Sequence, residues 1–589
     1  MHPPLHHLLL LSLTLILPFS AASSLPFHLS ETTHLHRAKS APAPPQQYIE
    51  VTRPLPFDSL TPSCILPLLS HTFTAPTANA TYSSPTNCSW SNAVLHFSAA
   101  SNGSHRGRIA AVWLADAEIA RSSTPEPTPE GIFWNFRKDV TRYASLLRSS
   151  NLTLSVALYS LVGHVTNDTY NVNVTFLYYD VNKTDHAVTA PLTLIRPQKS
   201  SESLELNQNP ADLIVPISSP GDEGHWFRID NGSDSVLRNI QIPSNTYRAV
   251  IEIYVSSHDR DEFWYSNPPD YYLEINNLPT NRGHGSYREV AVKLNDNVVG
   301  SVIPFPVIYG GGINPLFWQP LVSIGAFDFP SYEIELTPYL GIMLEKGNNL
   351  HSLGLEVADA LSYWLIDANL HLWIDSSGDS VSAGPIEYSD PRIRLERESK
   401  FHDLDGKFKV EGETKREASG WVNSSAGNLT THVYGKVEFS SKLVLKHGGR
   451  KVRVKQSVRA VDEVRVKSDA GHSVAEMTRE RRYPLQVRAT VMPGSENETY
   501  WIAAEVEHAM KEEKKGSGGL RSESENRQKS RGWMFVRECE ILSGAAATSQ
   551  SFYAKDGHGC YARHVLADGG AVKNDTHSIV CGHTATSSS

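Results

Sequence analysis

The densest chemistry in the chain lies in one short run, His258-Asp259-Arg260-Asp261-Glu262-Phe263-Trp264-Tyr265, which leads into Ser266-Asn267-Pro268-Pro269. Three carboxylates and three aromatic rings fall within residues 259–265. Carboxyl groups held close together repel when both ionise, so their pKa values separate and one can act as acid while another acts as base. Trp264 and Tyr265 carry flat apolar faces of the kind that cover the C–H side of a sugar ring. The run follows the apolar segment 248–257, so a strand would carry it as a loop at the end of a rigid sheet. The competing reading is a salt-bridged turn with Trp264 in the core.

Two further segments could bind a polar ligand. In the alternating stretch 363–375, Asp367, Asn369, His371, Trp373 and Asp375 share one strand face, opposite an apolar face. That polar face is either a binding surface or the solvated side of a sandwich. In Tyr309-Gly310-Gly311-Gly312-Ile313-Asn314-Pro315-Leu316-Phe317-Trp318, the glycines admit positive φ and close approach of backbone to a ligand, or simply a turn. No Gly-Lys-Ser/Thr follows, so this is not a phosphate loop, and GxSxG, HExxH and GxGxxG patterns are absent. Of five cysteines, Cys64 and Cys88 bracket one Pro/Thr/Asn-rich loop and are expected to pair. Cys539, Cys560 and Cys581 can form one bridge and leave one thiol, and with no CxxC pair a zinc or redox centre is disfavoured.

The elements that would position these residues are almost all strands. Period-two apolar runs recur at 93–97, 109–119, 152–158, 172–179, 249–255, 271–275, 289–294 and 332–336, with polar turns between. Segments 435–445 and 452–458 flank His447-Gly448-Gly449-Arg450 and read as a hairpin. One or two helical turns are expected at 143–148. The pattern is all-β, of the sandwich or jelly-roll kind, and 589 residues require several domains. The expected division is a signal peptide at 1–22 and a linker or pro-segment at 23–60. A first β jelly roll at 61–205, a second at 206–375 and a C-terminal β-rich domain at 376–589 complete it. The charged, Gly/Ser-rich stretch 511–531 reads as a disordered loop.

Composition narrows the partners. A hydrophobic share of 40% with 20% charged residues is that of a globular chain, and a net charge of −9 disfavours nucleic acid. The apolar run 8–17 is too short to span a bilayer and is followed by Ser20-Ala21-Ala22, a small-residue cleavage site, so the expectation is a secretory-pathway protein without a membrane span. Twelve Asn-x-Ser/Thr sequons, at Asn79, Asn87, Asn102, Asn151, Asn167, Asn173, Asn182, Asn231, Asn423, Asn428, Asn497 and Asn574, exceed the roughly five expected by chance. They place the protein in the secretory route, secreted or delivered to cell wall or vacuole.

Several motifs carry a family resemblance. Arg121-Ser122-Ser123-Thr124-Pro125-Glu126-Pro127-Thr128-Pro129, Lys138-Asp139-Val140-Thr141-Arg142-Tyr143 and Val172-Asn173-Val174-Thr175-Phe176, with 261–269, 311–318 and Ile366-Asp367-Ala368-Asn369-Leu370-His371-Leu372-Trp373, run in order over roughly 63–375. In these the chain resembles the plant and fungal peptide-N4-(N-acetyl-β-glucosaminyl)asparagine amidase A family, distantly similar to bacterial peptide N-glycosidases. The resemblance implies two adjoining jelly rolls with a carboxylate-lined cleft, no cofactor, and N-glycopeptides or N-glycoproteins as substrate. The implied reaction cleaves the amide between Asn and the first N-acetylglucosamine, leaving Asp. Glu262 is then the expected acid/base, with Asp261 tuning it or binding the sugar. Asp259, Trp264, Tyr265, Trp318, Asp367, His371 and Trp373 are expected to bind the sugar. Oxidised cysteines argue against a thiol mechanism. At Gly107 and Tyr159 the chain departs from the family's acids, with Asp116 or Glu118 as candidate replacements. That departure leaves a non-catalytic, lectin-like paralogue as the alternative reading, and a two-carboxylate glycosidase as a third.

Overall fold

A computed structural model describes residues 44–102, 107–126, 128, 130–160, 169–181, 206, 209–345, 350–384, 387–389, 393–537, 540–557 and 559–580. The expected signal peptide, 1–22, lies outside these residues. The all-β expectation holds. Thr169–Tyr179 illustrates how: Tyr170, Val172, Val174, Phe176 and Tyr178 are buried while Asn171 and Asn173 face solvent.

The first sandwich pairs a sheet ordered Gln46–Gln47, Ile132–Asp139, Asn92–Asn102, Thr169–Tyr179, Cys64–Phe73 with one ordered Thr77–Ser83, Ser150–Ser160, Arg108–Leu114, Ala117–Ser123. Phe97, Trp134 and Val174 from one sheet meet Val112, Leu154 and Val156 from the other in one core. The hairpin between Arg108–Leu114 and Ala117–Ser123 turns through Ala115 and Asp116, both at positive φ (50° and 65°). Cys64 and Cys88 are disulfide-bonded, as expected from the loop they bracket. Cys560 is also disulfide-bonded, and Cys539 and Cys581 lie outside the described residues.

The second sandwich repeats the plan. One sheet runs Leu213–Ile217, Trp364–Ile374, Thr246–Ser257, Ser331–Glu335, with Phe227–Ile229 also on Trp364–Ile374. The other runs Ser235–Ile240, His351–Ala358, Glu289–Leu294, Asn297–Val302. The segment 271–275, expected as a strand, is instead part of the helix Asp270–Ile275. Pro269 precedes it with a fixed φ of −66°, Asp270 sits in its first turn, and it buries Tyr272 and Leu273 on one side.

Beyond it, a twelve-stranded sheet is a meander of long strands. From Asp405–Ser424 through Gly427–Lys446, Lys451–Ser468, Ser473–Pro493, Thr499–Gly516, Arg521–Arg537, Glu540–Asp556, Gly559–Asp568 and Ala571–Ser578, each pairs with the next. The hairpin expected at 447–450 is present, with His447, Gly448 and Gly449 at positive φ. The sheet's inner face shares a core with the second sandwich: Phe408, Phe439, Leu443 and Val506 join Ile251, Trp318 and Ile334.

Two expectations are corrected. The stretch 511–531 is ordered, forming the ends of Thr499–Gly516 and Arg521–Arg537 around a turn at Ser517–Gly519. Its charges are satisfied within the sheet, with Lys511 to Glu525 at 2.7 Å, Lys514 to Glu512 at 2.7 Å and Arg521 to Glu513 at 3.2 Å. From residue 44, part of the expected linker is also structural. Tyr48 and Val51 are buried, Ile49 bonds through its backbone to Pro320 and Val322, and Arg53 pairs with Asp556 at 2.5 Å. The Glu50 carboxylate accepts the backbone N–H groups of Gly325, Phe327 and Asp328 at 2.5, 3.0 and 3.0 Å. This strap joins the first sandwich, the second and the meander.

Candidate active site

The strand Thr246–Ser257 ends in His258, and the chain then folds into two single turns of 3-10 helix, Asp259–Asp261 and Trp264–Ser266. Asp259 takes the left-handed conformation (φ 51°), which reverses the chain. The reversal sends the three acids into different surroundings. Asp261 is wholly buried, receiving Arg288 Nη2 at 2.5 Å, Arg288 Nε at 2.9 Å, Trp364 Nε1 at 2.7 Å and the Leu361 amide at 2.8 Å. Both oxygens of this carboxylate are engaged, so Asp261 anchors the loop and does not act on a substrate. Asp259 stands at the surface, its side chain 55% exposed. Glu262 lies between them, 9% exposed. Burial pushes its pKa up to about 7; Arg282 opposes the shift while Glu126 and Asp259 add to it.

Glu126 is the residue that reasoning from single residues missed, although its motif carried the resemblance. It leaves the strand Ala117–Ser123 in a proline-rich segment, and its backbone carbonyl accepts Tyr48 Oη at 2.9 Å. The glycine loop makes room for it. A Cβ added at Gly311 would sit 2.8 Å from Glu126 Oε1, and one at Gly310 would sit 3.0 Å from the Glu126 amide nitrogen. These glycines are needed for space, not for positive φ; the residue with positive φ in the loop is Ile313 (63°), a conformation unusual for a β-branched side chain. Burial pushes Glu126 up to about 7 as well.

Among the described residues, three buried polar atoms of this region have no hydrogen-bond partner: Arg282 Nη1 and Tyr265 Oη, and His258 Nδ1 at the start of the loop. Arg282 and Tyr265 both feel the charge of Glu262. His258 stacks between Tyr309 (5.6 Å) and Tyr363 (5.2 Å), and burial, with Arg121 and Arg228, keeps it neutral. Its Nε2 meets Ser256 Oγ at 2.8 Å, and Arg121 Nη1 donates to the same hydroxyl at 3.0 Å. Unpartnered buried donors are costly in an interior, and their grouping marks a place built to receive polar groups.

The expected sugar platform is corrected. Trp264, Tyr265 and Trp318 are 1%, 1% and 0% exposed, and all three pack in the core that the second sandwich shares with the meander. Their ring faces are covered by protein, so they support the loop from beneath, as the competing reading of Trp264 held. Trp318 donates its indole N–H to the Gly312 carbonyl at 2.9 Å, which fixes the glycine loop.

The polar face of Trp364–Ile374 is neither wet nor ligand-facing along its first part; it is the seam between the two sandwiches. Asp367 accepts Trp113 Nε1 at 2.6 Å, Asn369 donates to the Glu118 carbonyl at 2.7 Å, and His371 meets Glu252 at 3.1 Å. Arg121 holds Glu118 through two bonds of 2.7 Å. Burial raises both Glu118 and Asp367; Arg121 opposes the shift at Glu118, and Glu118 adds to that of Asp367, which lies well above its usual range. Glu252 would be raised by burial, but Arg142 and His371 hold it ionised and well below the usual range. Trp373, further along, is half-exposed beneath Arg248 (4.3 Å) and lines a separate groove. Glu118 is sealed in the seam, and Asp116 pairs with His225 at 3.1 Å on the hairpin turn. Gly107 has open space around it, and Tyr159 packs against Trp226 near Arg228 and Tyr363.

A family model, Peptide N-acetyl-beta-D-glucosaminyl asparaginase amidase A, matches residues 52–391. The chain belongs to this family. A curated relative from Prunus dulcis, described as peptide-N4-(N-acetyl-beta-glucosaminyl)asparagine amidase A, is 36% identical over 561 residues, covering 94% of this chain and 95% of the relative. Among solved structures, that of PNGF-II is similar with a TM-score of 0.33 and 8% identity, over 53% of this chain and 66% of the other. The family's enzymes are amidases, and the pair Glu126–Glu262 lies within the matched region.

Proposed function

We propose that the chain hydrolyses the amide joining Asn to the first N-acetylglucosamine of N-glycopeptides, with Glu262 and Glu126 as the acid/base pair. Family membership supports the reaction. The observation that carries the site is the placement of two buried carboxyls, Glu262 in the strand-end loop with Arg282 acting on it and Glu126 in the space left by Gly310 and Gly311, near enough that Glu126 raises Glu262. An amide nitrogen leaves poorly unless it is protonated, and water attacks poorly unless it is deprotonated. Two carboxyls raised toward neutrality, one protonated and the other ionised, supply both functions at once.

In the reaction the ionised carboxylate takes a proton from water as its oxygen bonds to the Asn side-chain carbonyl carbon. The tetrahedral oxyanion is stabilised by the unpartnered Arg282 N–H. The C–N bond then breaks as the protonated carboxyl delivers its proton to nitrogen, leaving Asp and a glycosylamine, which loses ammonia in water. Asp259, at the surface of the loop, is the proposed contact to sugar hydroxyls.

The compartment proposed is the secretory route. Of the twelve sequons, ten lie in described residues, and nine of those asparagines are exposed, with Asn428 half-buried. Among the described residues, no helix is long and apolar enough to cross a membrane.

Incubation of the protein with a defined glycopeptide, followed by the peptide mass, separates the readings. Conversion of Asn to Asp is expected. A peptide that keeps one N-acetylglucosamine would indicate a glycosidase, and binding without conversion a lectin-like paralogue.

A further inference from the structure

The outer face of the C-terminal meander carries a strip of like charges. Lys409 lies directly opposite Lys442, Lys442 opposite Lys455, Arg453 opposite Arg488, and Lys446 opposite Lys451. Lys400 faces Lys407 at the margin. Like charges directly opposed across strands destabilise a sheet. Like charges also oppose each other elsewhere on the sheet, Lys415 facing Lys436 and Arg459 facing Arg482, but there counter-ions lie alongside: Lys436 bonds Glu438 (2.5 Å) and Arg459 is set between Glu438 (3.2 Å) and Glu480 (2.7 Å). Within the strip, Lys409 pairs with Glu411 and Arg488 with Glu505, whereas Lys442, Lys446, Arg453 and Lys455 form no ion pair among the described residues. Asp405, Glu396, Glu398, Glu411 and Glu505 border it, fewer than the basic side chains named.

The strip runs into an aromatic platform on the same face. Lys451 lies opposite Thr490, Thr490 opposite Ala503, and Ala503 opposite Trp533. Trp501 and Trp533 stand 5.1 Å apart, and Phe535 lies 4.7 Å from Trp501. All three are half-buried, while Ile502 and Met534 between them point inward and are buried. Ala503 and Ala545, the small residues opposite Trp533 on either side, keep its surroundings low on this face. Two concavities of about 910 Å³ and 660 Å³ cover the two halves and meet at Arg488.

We infer that this face binds a linear acidic polysaccharide, a uronate chain, independently of the amidase site. A uronate polymer offers a carboxylate on each sugar and an apolar ring face, which answers both halves of the surface. The seven strands concerned span about 30 Å at roughly 4.8 Å per strand, room for several sugars in a row. A nucleic acid is the less suitable occupant, since its charge spacing of about 3.4 Å per strand calls for a denser cationic surface without acids at its margins.

The test uses the full-length protein and a fluorescent oligogalacturonate, with a neutral cello-oligosaccharide of equal length and an oligothymidylate as comparisons. Binding of the uronate chain that changes tryptophan fluorescence and weakens steeply with salt is expected. The double variant K442E/K455E should weaken it at least tenfold, and W501A/W533A should weaken it and remove the fluorescence change, both with glycopeptide cleavage intact as evidence of folding. Equal affinity for the neutral chain, tighter binding of oligothymidylate, or undiminished binding by folded K442E/K455E would overturn the assignment.

Discussion

Glu262 and Glu126 gain their chemical value from an unfavourable position. Each would ionise near 4.5 in the unfolded chain, whereas burial moves both to about 7. A raised carboxyl pKa means that the folded state binds the proton more tightly than the unfolded state. The associated stability is fully present below pH 4.5 and is lost as pH rises through 7. For Glu262 the difference amounts to about 3 kcal/mol. E262Q should therefore unfold at higher denaturant than the parent at about pH 8 and equally at about pH 4, while losing at least about a hundredfold in kcat/KM. E126Q should show a loss of the same order, with cleavage in the parent falling as pH passes above about 7. Asp261 behaves differently. D261N leaves Arg288 buried without its counter-ion and should cost about 3–5 kcal/mol, detectable as a lower denaturation midpoint near neutral pH.

The elements explain why some of this was legible in the sequence. Period-two alternation marked about half the strands of the two sandwiches, missing Cys64–Phe73, Thr77–Ser83, Ile132–Asp139 and His351–Ala358 among others, and the 258–265 run was placed correctly at a strand end. Alternation has no means of showing what lies opposite a face, so the polar side of Trp364–Ile374 reads the same whether it meets water or Glu118, Glu252 and Trp113. Glu126 was obscure for a related reason: it becomes a site residue only because Gly310 and Gly311, far along the chain, leave room for it. The charged stretch 511–531 misled because composition registers charge but not its pairing; Lys511 is matched with Glu525 and Arg521 with Glu513. Native-state trypsin digestion should accordingly spare 511–531, with early cuts elsewhere. Rapid cleavage there would contradict the ladder.

At the scale of the whole molecule, three β units are held as one by the residues that cross between them. The seam built on Arg121, Glu118 and Asp367 joins the two sandwiches, and the meander shares its inner core with the second. The strap 46–53 touches all three. E50A removes the acceptor for three backbone N–H groups around 325–328 and should lower the thermal midpoint by several degrees, at about 1–3 kcal/mol for the orphaned donors. Because that loop lies next to the 309–318 segment, glycopeptide cleavage should fall with it, chiefly through KM. The arrangement leaves the carboxyl pair at one junction and the cationic, aromatic face of the meander on a separate surface.

The most direct test of the carboxyl pair is the single-turnover rate of glycopeptide cleavage by E262Q against the parent, at about pH 6 and equal folded concentration, read as conversion of Asn to Asp. A fall of at least about a hundredfold with binding retained is the predicted result. A rate within about a factor of two of the parent would contradict the assignment of Glu262 as the acid/base.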